Sequence, residues 1–140
     1  MPTVAITDIG SLVTNDKTLE SGLLGELKDA AIVIEDGLIA WVGSKHSVPA
    51  TDRSMSAQGK TVLPGFVDSH AHLMFAGDRA SEFAARMAGE SYSAGGIKTT
   101  VAATRAASDE ELEANLVHLA KELRANGVTT FETKSGYGLS

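Results

Sequence analysis

The sequence predicts an α/β protein in which a small all-β unit comes first and βα units follow. Two observations lead to this prediction. The pair Asp36-Gly37 separates two runs of aliphatic residues, Ala30–Ile34 and Leu38–Val42, and this arrangement is typical of a β-hairpin. Strand, helix and strand signals then alternate over residues 66–132. That alternation is typical of a parallel sheet whose strands are connected by helices.

The all-β unit is predicted to span residues 1–60. Residues 3–14 alternate loosely between apolar and polar side chains, which indicates a strand. The segment 15–28 is polar and contains glycine, so we expect a loop there, and we expect residues 43–59 to form a polar connector. A short strand at 61–63 is expected to lead into the second unit, which is predicted to span residues 61–140.

The second unit carries three helix signals. Short helices are predicted over 81–88 and 97–106. The sequence Ser-Asp-Glu-Glu at 108–111 is a capping box and opens the longest helix, which the pair Asn126-Gly127 ends. Apolar residues recur on one face of that helix at helical spacing: Leu112, Leu116, Leu119, Ala120 and Leu123. A strand over 128–132 and a glycine-containing loop follow.

Composition excludes several classes of function. The 140 residues include 12 Lys+Arg and 18 Asp+Glu, and the formal net charge is -6, which argues against a nucleic-acid partner. The chain has no cysteine, which fits a reducing compartment such as the cytoplasm. Its first residues lack the pattern of a signal peptide, and no apolar run is long enough to span a membrane, so no membrane partner is expected.

Residues 63–72, Leu-Pro-Gly-Phe-Val-Asp-Ser-His-Ala-His, are the most informative part of the sequence. Phe66 and Val67 open an apolar run that we expect to be buried in a sheet. On a strand, alternate side chains share a face, so Asp68, His70 and His72 are predicted to point the same way. Two imidazoles at this spacing can converge on one metal ion, with Asp68 as a supporting outer group. A His-x-His pair also occurs by chance, but here it ends an apolar strand, where buried polar groups need partners.

The segment 64–72 resembles the first barrel strand of the amidohydrolase superfamily. The resemblance implies a metal-dependent (β/α)₈ TIM barrel preceded by a small N-terminal β-sandwich-like domain. It also implies one divalent metal ion, zinc or iron, with His70 and His72 as the first two ligands. A complete barrel needs at least about 200 residues. We therefore expect only the first βα units of an incomplete barrel, with no catalytic acid or base in this segment, and expect the remaining ligands on later strands.

Further segments narrow the resemblance. Residues 72–79, 89–92 and 132–139 resemble superfamily members that open the cyclic amide of 4-imidazolone-5-propanoate to N-formimino-L-glutamate in histidine degradation. Three residues match substrate-contacting positions of those enzymes: Arg79, Tyr92 and Tyr137. A guanidinium can bind the propionate carboxylate in bidentate fashion, and the phenols can stack on the ring or donate hydrogen bonds to it. A solvated loop arginine and half-buried tyrosines remain the alternatives from the residues alone.

Two other functions stay open at this point. One is a related amidohydrolase, such as a deaminase of a nitrogen heterocycle, although Arg79 suits a carboxylate-bearing ring better than a neutral one. The other is a non-catalytic binding or assembly module, which metal content would distinguish. The expected partner is the small-molecule substrate, and the sequence leaves a homodimer open. His46 and His118 lie in polar surroundings and are expected to be exposed.

Overall fold

The first unit, Met1–Pro64, is built around one long strand. The structure is a computed structural model that describes residues 2–20, 22–89 and 96–137. The strands of the first unit are β1 (Val4–Val13), β2 (Glu26–Glu35), β3 (Leu38–Ser44), β4 (Arg53–Ser56) and β5 (Thr61–Val62), and a 3₁₀ turn covers Lys45–Ser47. They form one sheet of order β3-β2-β1-β4, in which β5 also pairs with β1.

The predicted hairpin is confirmed. Strands β2 and β3 pair antiparallel from Glu35 and Leu38 outward. Both turn residues have positive φ, +50° at Asp36 and +80° at Gly37, as a tight two-residue hairpin turn requires. The core of this unit lies on β1 and β2, where Ile9 and Ala30 are fully buried.

Two loop predictions in this unit are wrong in part. Strand β2 begins at Glu26, within the predicted loop 15–28, and Glu26 pairs with Val13 of β1. Within the predicted connector 43–59, β4 runs parallel to β1 with Val4 opposite Arg53. All four β4 side chains are exposed, so no apolar alternation marks the strand in the sequence. Backbone pairing at the edge of β1 forms this strand.

The described part of the first unit differs from the expected sandwich-like form, because it contains one sheet. An apolar cavity of about 410 Å³ lies beside this sheet, lined in part by Leu12, Ile32 and Val42. A sandwich would cover such a surface with a second sheet. Strand β5 lies where the sequence predicts a short strand, and it pairs with Ser11 and Leu12 of β1.

The second unit, Gly65–Ser140, has an α/β order. Its elements are β6 (Phe66–Ala71), α1 (Ala80–Met87), α2 (Ile97–Ala106), α3 (Asp109–Ala125) and β7 (Val128–Thr133). Strands β6 and β7 are parallel, with Phe66 opposite Val128 and Ala71 opposite Thr133, as the strand-helix-strand order predicts. These are the two strands that the described residues of this unit contribute, so the TIM barrel itself is not present in the chain.

Helix α3 begins as predicted. The Ser108 hydroxyl accepts a hydrogen bond from the Glu111 amide at 3.2 Å, and the Glu111 carboxylate accepts one from the Ser108 amide at 2.9 Å. The helix ends at Ala125, and Gly127 just beyond it has a φ of +89°, the left-handed conformation that glycine adopts readily. The predicted apolar face is half-buried along its length. Among the described residues, no helix has the length and apolar character needed to cross a membrane.

One burial prediction for β6 is wrong. Phe66 is 53% exposed and Val67 is 69% exposed. Of the described strands, β6 pairs with β7, and α3 packs on β7. A strand becomes buried on both faces only when layers cover both sides of its sheet. Two strands do not provide that cover for β6.

Candidate metal and substrate site

The end of β6 brings the two predicted metal ligands together. His70 is the next-to-last residue of β6, and His72 is the first residue after the strand ends. Their ring centroids are 5.1 Å apart, and the ring planes meet at 70°. The extended backbone produces this arrangement, because residues two apart on a strand project from the same face. Two imidazoles this close can bind one ion between them.

Asp68 supports this arrangement through the backbone. Its carboxylate accepts a hydrogen bond from the His70 amide at 3.1 Å. The contact fixes the backbone at the position where His70 begins to project. An Asp side chain that binds the amide two residues later is a common local structure of short polar side chains. Asp68 therefore acts on the main chain of His70.

The ring of His72 packs against Tyr137, one of the predicted substrate residues. The two ring centroids are 5.2 Å apart, and the Tyr137 ring also lies 5.8 Å from that of Phe75 in an edge-to-face contact. These distances are within the range of favourable aromatic pairs. Tyr92, the other predicted tyrosine, lies outside the described residues. The structure thus adds Phe75 to the site, a residue that the sequence analysis missed.

His72 carries a nitrogen that calls for a partner. Among the described residues, His72 Nδ1 is the buried side-chain atom that makes no hydrogen bond. Burying an imidazole nitrogen is costly unless a hydrogen-bond donor, an acceptor or an ion satisfies it. Imidazole ligands suit both zinc and iron. The donor set thus fits part of a metal shell, although the described residues contain no group of three His, Cys, Asp or Glu that could hold an ion.

Gly136 allows the close approach of the loop to His72. A Cβ atom at position 136 would lie 2.9 Å from Cε1 and 3.2 Å from Nδ1 of the His72 ring. A contact under 3.0 Å would displace the ring. The glycine before Tyr137 therefore has a steric role that the sequence did not reveal, since glycine in such a loop usually indicates only a turn.

Hydrogen bonds hold the loop that follows His72. The Thr133 hydroxyl, at the end of β7, accepts from the Leu73 amide at 3.1 Å. The hydroxyl of Thr104 on α2 accepts from the Ala76 amide at 3.1 Å and donates to a carbonyl of its own helix. The amide of Asn115 on α3 donates to the Phe75 carbonyl at 2.7 Å. Three elements thus fix the loop that carries Phe75.

Arg79 lies at the other end of this loop, at the position before α1, and its side chain makes no capping hydrogen bond. It is exposed and lines a cleft of about 200 Å³ together with Glu82, Phe83 and Arg86. Neither histidine lines that cleft. The structure therefore groups Tyr137 with the histidines and places Arg79 in a separate, cationic cleft of the same unit.

Glu132 and Lys134 form an ion pair at the end of β7. Lys134 Nζ lies 2.6 Å from Glu132 Oε1, and this hydrogen bond holds the pKa of the Glu132 carboxyl below its ordinary value, with a smaller contribution from His70. The Lys134 amide also donates to the Ala71 carbonyl at 2.9 Å, which fastens this segment beside the histidine strand. The sequence left open whether these charges lie near the site, and the backbone hydrogen bond to Ala71, the residue between the two histidines, places this segment next to it.

The histidines predicted to be exposed are exposed. His46 lies on the surface of the first unit, and the side chain of His118 is 67% exposed beside Glu122.

Comparison with known proteins identifies the relatives of this chain. No family model matches it. The predicted resemblance to the amidohydrolase superfamily is confirmed, because the solved structures that are similar to this chain are members of that superfamily. The ochratoxinase of A. niger matches with a TM-score of 0.63 and 24% identity over 98% of this chain and 26% of its own. A molinate hydrolase matches with a TM-score of 0.59 and 26% identity over 93% of this chain and 23% of its own.

Relatives found by sequence are more similar to this chain than the solved structures are. Imidazolonepropionase of Mycolicibacterium smegmatis is 59% identical over 100% of this chain and 35% of its own length. Imidazolonepropionase of Nocardia farcinica is 61% identical over 100% of this chain and 36% of its own length. The chain is thus homologous to imidazolonepropionases along its whole length, and it spans about 35% of the length of these relatives.

Proposed function

We propose that this chain is the metal-strand portion of an imidazolonepropionase, a hydrolase that converts 4-imidazolone-5-propanoate to N-formimino-L-glutamate. The observation that carries the proposal is the identity of about 60% with proteins of that name over the whole chain. In this proposal the second unit supplies the first βα units of a (β/α)₈ barrel. Barrel enzymes place their sites at the carboxyl ends of the strands, and His70 and His72 occupy that end of β6.

We assign His70 and His72 as two ligands of one divalent metal ion, zinc or iron. Their 5.1 Å ring separation and the unsatisfied Nδ1 of His72 support this assignment. When bound, such an ion supplies the Lewis-acid polarisation that amide hydrolysis needs. A catalytic ion usually has at least three protein ligands, so the others are expected from later strands of the full-length protein.

The other predicted residues are proposed to act on the substrate. The reaction adds water across the ring amide, so that the carbonyl carbon becomes a carboxylate and the ring nitrogen takes up a proton. Tyr137, packed on His72, can stack on the flat ring and donate its phenolic hydrogen to a ring polar atom. Arg79 is the proposed partner of the propionate, with its guanidinium forked on the carboxylate. Tyr92 is proposed as a further substrate contact.

The activity is tested with the full-length protein that contains this chain. Incubation with 4-imidazolone-5-propanoate should consume the imidazolone and yield N-formimino-L-glutamate. Ultraviolet absorbance and mass spectrometry measure this conversion. Removal of metal by a chelator should stop the reaction, and zinc or iron should restore it. No conversion of this substrate, with ammonia release from a neutral nitrogen heterocycle instead, would overturn the assignment.

Arg79→Ala should raise KM for the imidazolone roughly tenfold to a hundredfold, because a charge-assisted hydrogen bond contributes about 1.5–3 kcal/mol. Steady-state kinetics of the full-length protein measures this. Arg53→Ala is the matched control, since Arg53 is an exposed arginine of the first unit. An unchanged KM in Arg79→Ala would mean that the cationic cleft does not hold the propionate.

Gly136→Ala should weaken metal binding with little change in thermal stability. The new methyl group would lie 2.9 Å from the His72 ring and would displace it. Because the ring can move without the backbone, the fold should keep its stability. Competition titration with a chromophoric chelator gives the metal Kd, and calorimetry gives the Tm. Ser135→Ala, at the exposed neighbouring position, is the control. Equal metal Kd in both variants would contradict the steric role of Gly136.

A further inference from the structure

We propose that Asn115, on helix α3, is a positioning residue for the histidine site, acting through Phe75 and Tyr137. The inference rests on the proposed function, because it assumes that His72 is a metal ligand. It adds a residue to which neither the sequence motifs nor the comparisons assign a role.

Asn115 is a polar residue on the apolar face of α3. It lies three residues after Leu112 and four before Leu119, so all three share one side of the helix. It is half-buried like its apolar neighbours. A half-buried amide is unfavourable unless its polar atoms are satisfied. The 2.7 Å hydrogen bond from Asn115 Nδ2 to the Phe75 carbonyl, 40 residues away in the sequence, satisfies one of its donor hydrogens.

Ring contacts connect Phe75 to the metal ligand. The Phe75 ring lies 5.8 Å from Tyr137, and Tyr137 lies 5.2 Å from His72. Packed aromatic rings shift together, because protein interiors leave little free volume around them. The position of the Phe75 backbone thus limits where the Tyr137 ring lies, and Tyr137 limits where the His72 ring lies.

The neighbouring hydrogen bonds make this effect separable from folding. Thr133 holds the Leu73 amide and Thr104 holds the Ala76 amide, so the loop stays attached at both sides of Phe75 without Asn115. Asn115 fixes the carbonyl between these two points. Its loss should therefore change the orientation of the Phe75 ring and of the two rings beyond it, while the loop keeps its place.

The test uses the full-length protein with Asn115→Asp, which keeps the shape and removes the donor, and Asn115→Ala. Asn126→Asp is the matched control, because Asn126 Nδ2 donates to the Glu122 carbonyl at 2.9 Å at the end of the same helix. Chelator competition gives the Kd for zinc, calorimetry gives the Tm, and steady-state kinetics separates kcat from KM. Hydrogen exchange of the Leu73 and Ala76 amides reports whether the loop is still attached.

Both Asn115 variants should raise the zinc Kd roughly threefold to tenfold, which corresponds to the loss of one neutral hydrogen bond. The effect should be smaller than that of removing a residue that contacts a metal ligand directly. They should lower kcat more than they raise KM, with Leu73 and Ala76 still protected and the control unchanged. A zinc Kd equal to that of the wild type in both variants overturns the proposal. So does an equal rise in Asn126→Asp, which would mean general destabilisation of α3.

Failure of the proposed function has a different signature. If His70→Ala and His72→Ala leave the zinc Kd unchanged, the metal site itself is wrong, and the role of Asn115 falls with it. If these histidine variants lose zinc while the Asn115 variants do not, the metal site stands and only the role of Asn115 is overturned.

Discussion

His70→Ala and His72→Ala are each expected to lower kcat/KM of the full-length protein about a thousandfold or more. Each substitution removes one of two imidazoles whose rings are 5.1 Å apart, and so removes a ligand of the proposed metal ion. Lewis-acid activation contributes several kcal/mol to amide hydrolysis, and each 1.36 kcal/mol corresponds to a factor of about ten in rate. Metal content of the purified variants should fall together with the activity.

Two other histidines of the chain are the controls. His46 and His118 are exposed and lie outside the segment that carries the pair, so His46→Ala and His118→Ala should keep both metal content and rate. Atomic absorption of the dialysed proteins and initial rates with 4-imidazolone-5-propanoate provide the two measurements. Full activity in His70→Ala or His72→Ala would remove the metal-site assignment, and a loss of metal in either control would show that binding depends on histidines in general.

The parts of the fold that local chemistry determines could be predicted from the sequence. The hairpin follows from Asp36 and Gly37, since two successive residues with positive φ strongly restrict the choice of side chains. The start of α3 follows from Ser108 and Glu111, whose side chains satisfy each other's backbone amides. Both features depend on a few neighbouring residues. For that reason the sequence places them within one or two positions of the observed bounds.

The parts that depend on distant pairing could not be predicted in the same way. Strand β4 has four exposed side chains and is held by backbone hydrogen bonds to β1, so its sequence is that of a polar loop. The burial of Phe66 depends on layers beyond its own strand. No local pattern reports which layers are present, and Phe66 is exposed in this chain.

The candidate site likewise has features that local sequence determines and features that it does not. The spacing of His70 and His72 is a local property of an extended strand, and the sequence predicts it. The resemblance to a known family indicates Tyr137, and the structure places its ring beside His72. The contribution of Phe75 could not be predicted, because an apolar residue in the segment Leu-Met-Phe-Ala has no local feature that distinguishes a site residue from a core residue.

The surface of the second unit bears on how the 140-residue chain behaves by itself. Phe66 and Val67 are exposed on β6, and Phe131 is partly exposed on the neighbouring β7. An apolar groove of about 400 Å³ also runs between α3 and β7. Exposed apolar strands with unpaired edges favour association with other chains, because burial of apolar surface lowers the free energy and the strand edges offer unpaired backbone groups.

The isolated 140-residue chain is therefore expected to self-associate or to unfold without cooperativity, to bind zinc weakly and to show no imidazolone hydrolysis. Sedimentation velocity, calorimetry and an activity assay test these expectations. Val67→Thr replaces an exposed methyl group with a hydroxyl on β6 and should reduce association. Leu23→Gln, at an 84% exposed position of the first unit, is the control and should not. A monomeric chain that melts cooperatively and hydrolyses the imidazolone would show that the second unit needs no further strands, and the barrel proposal would then be wrong.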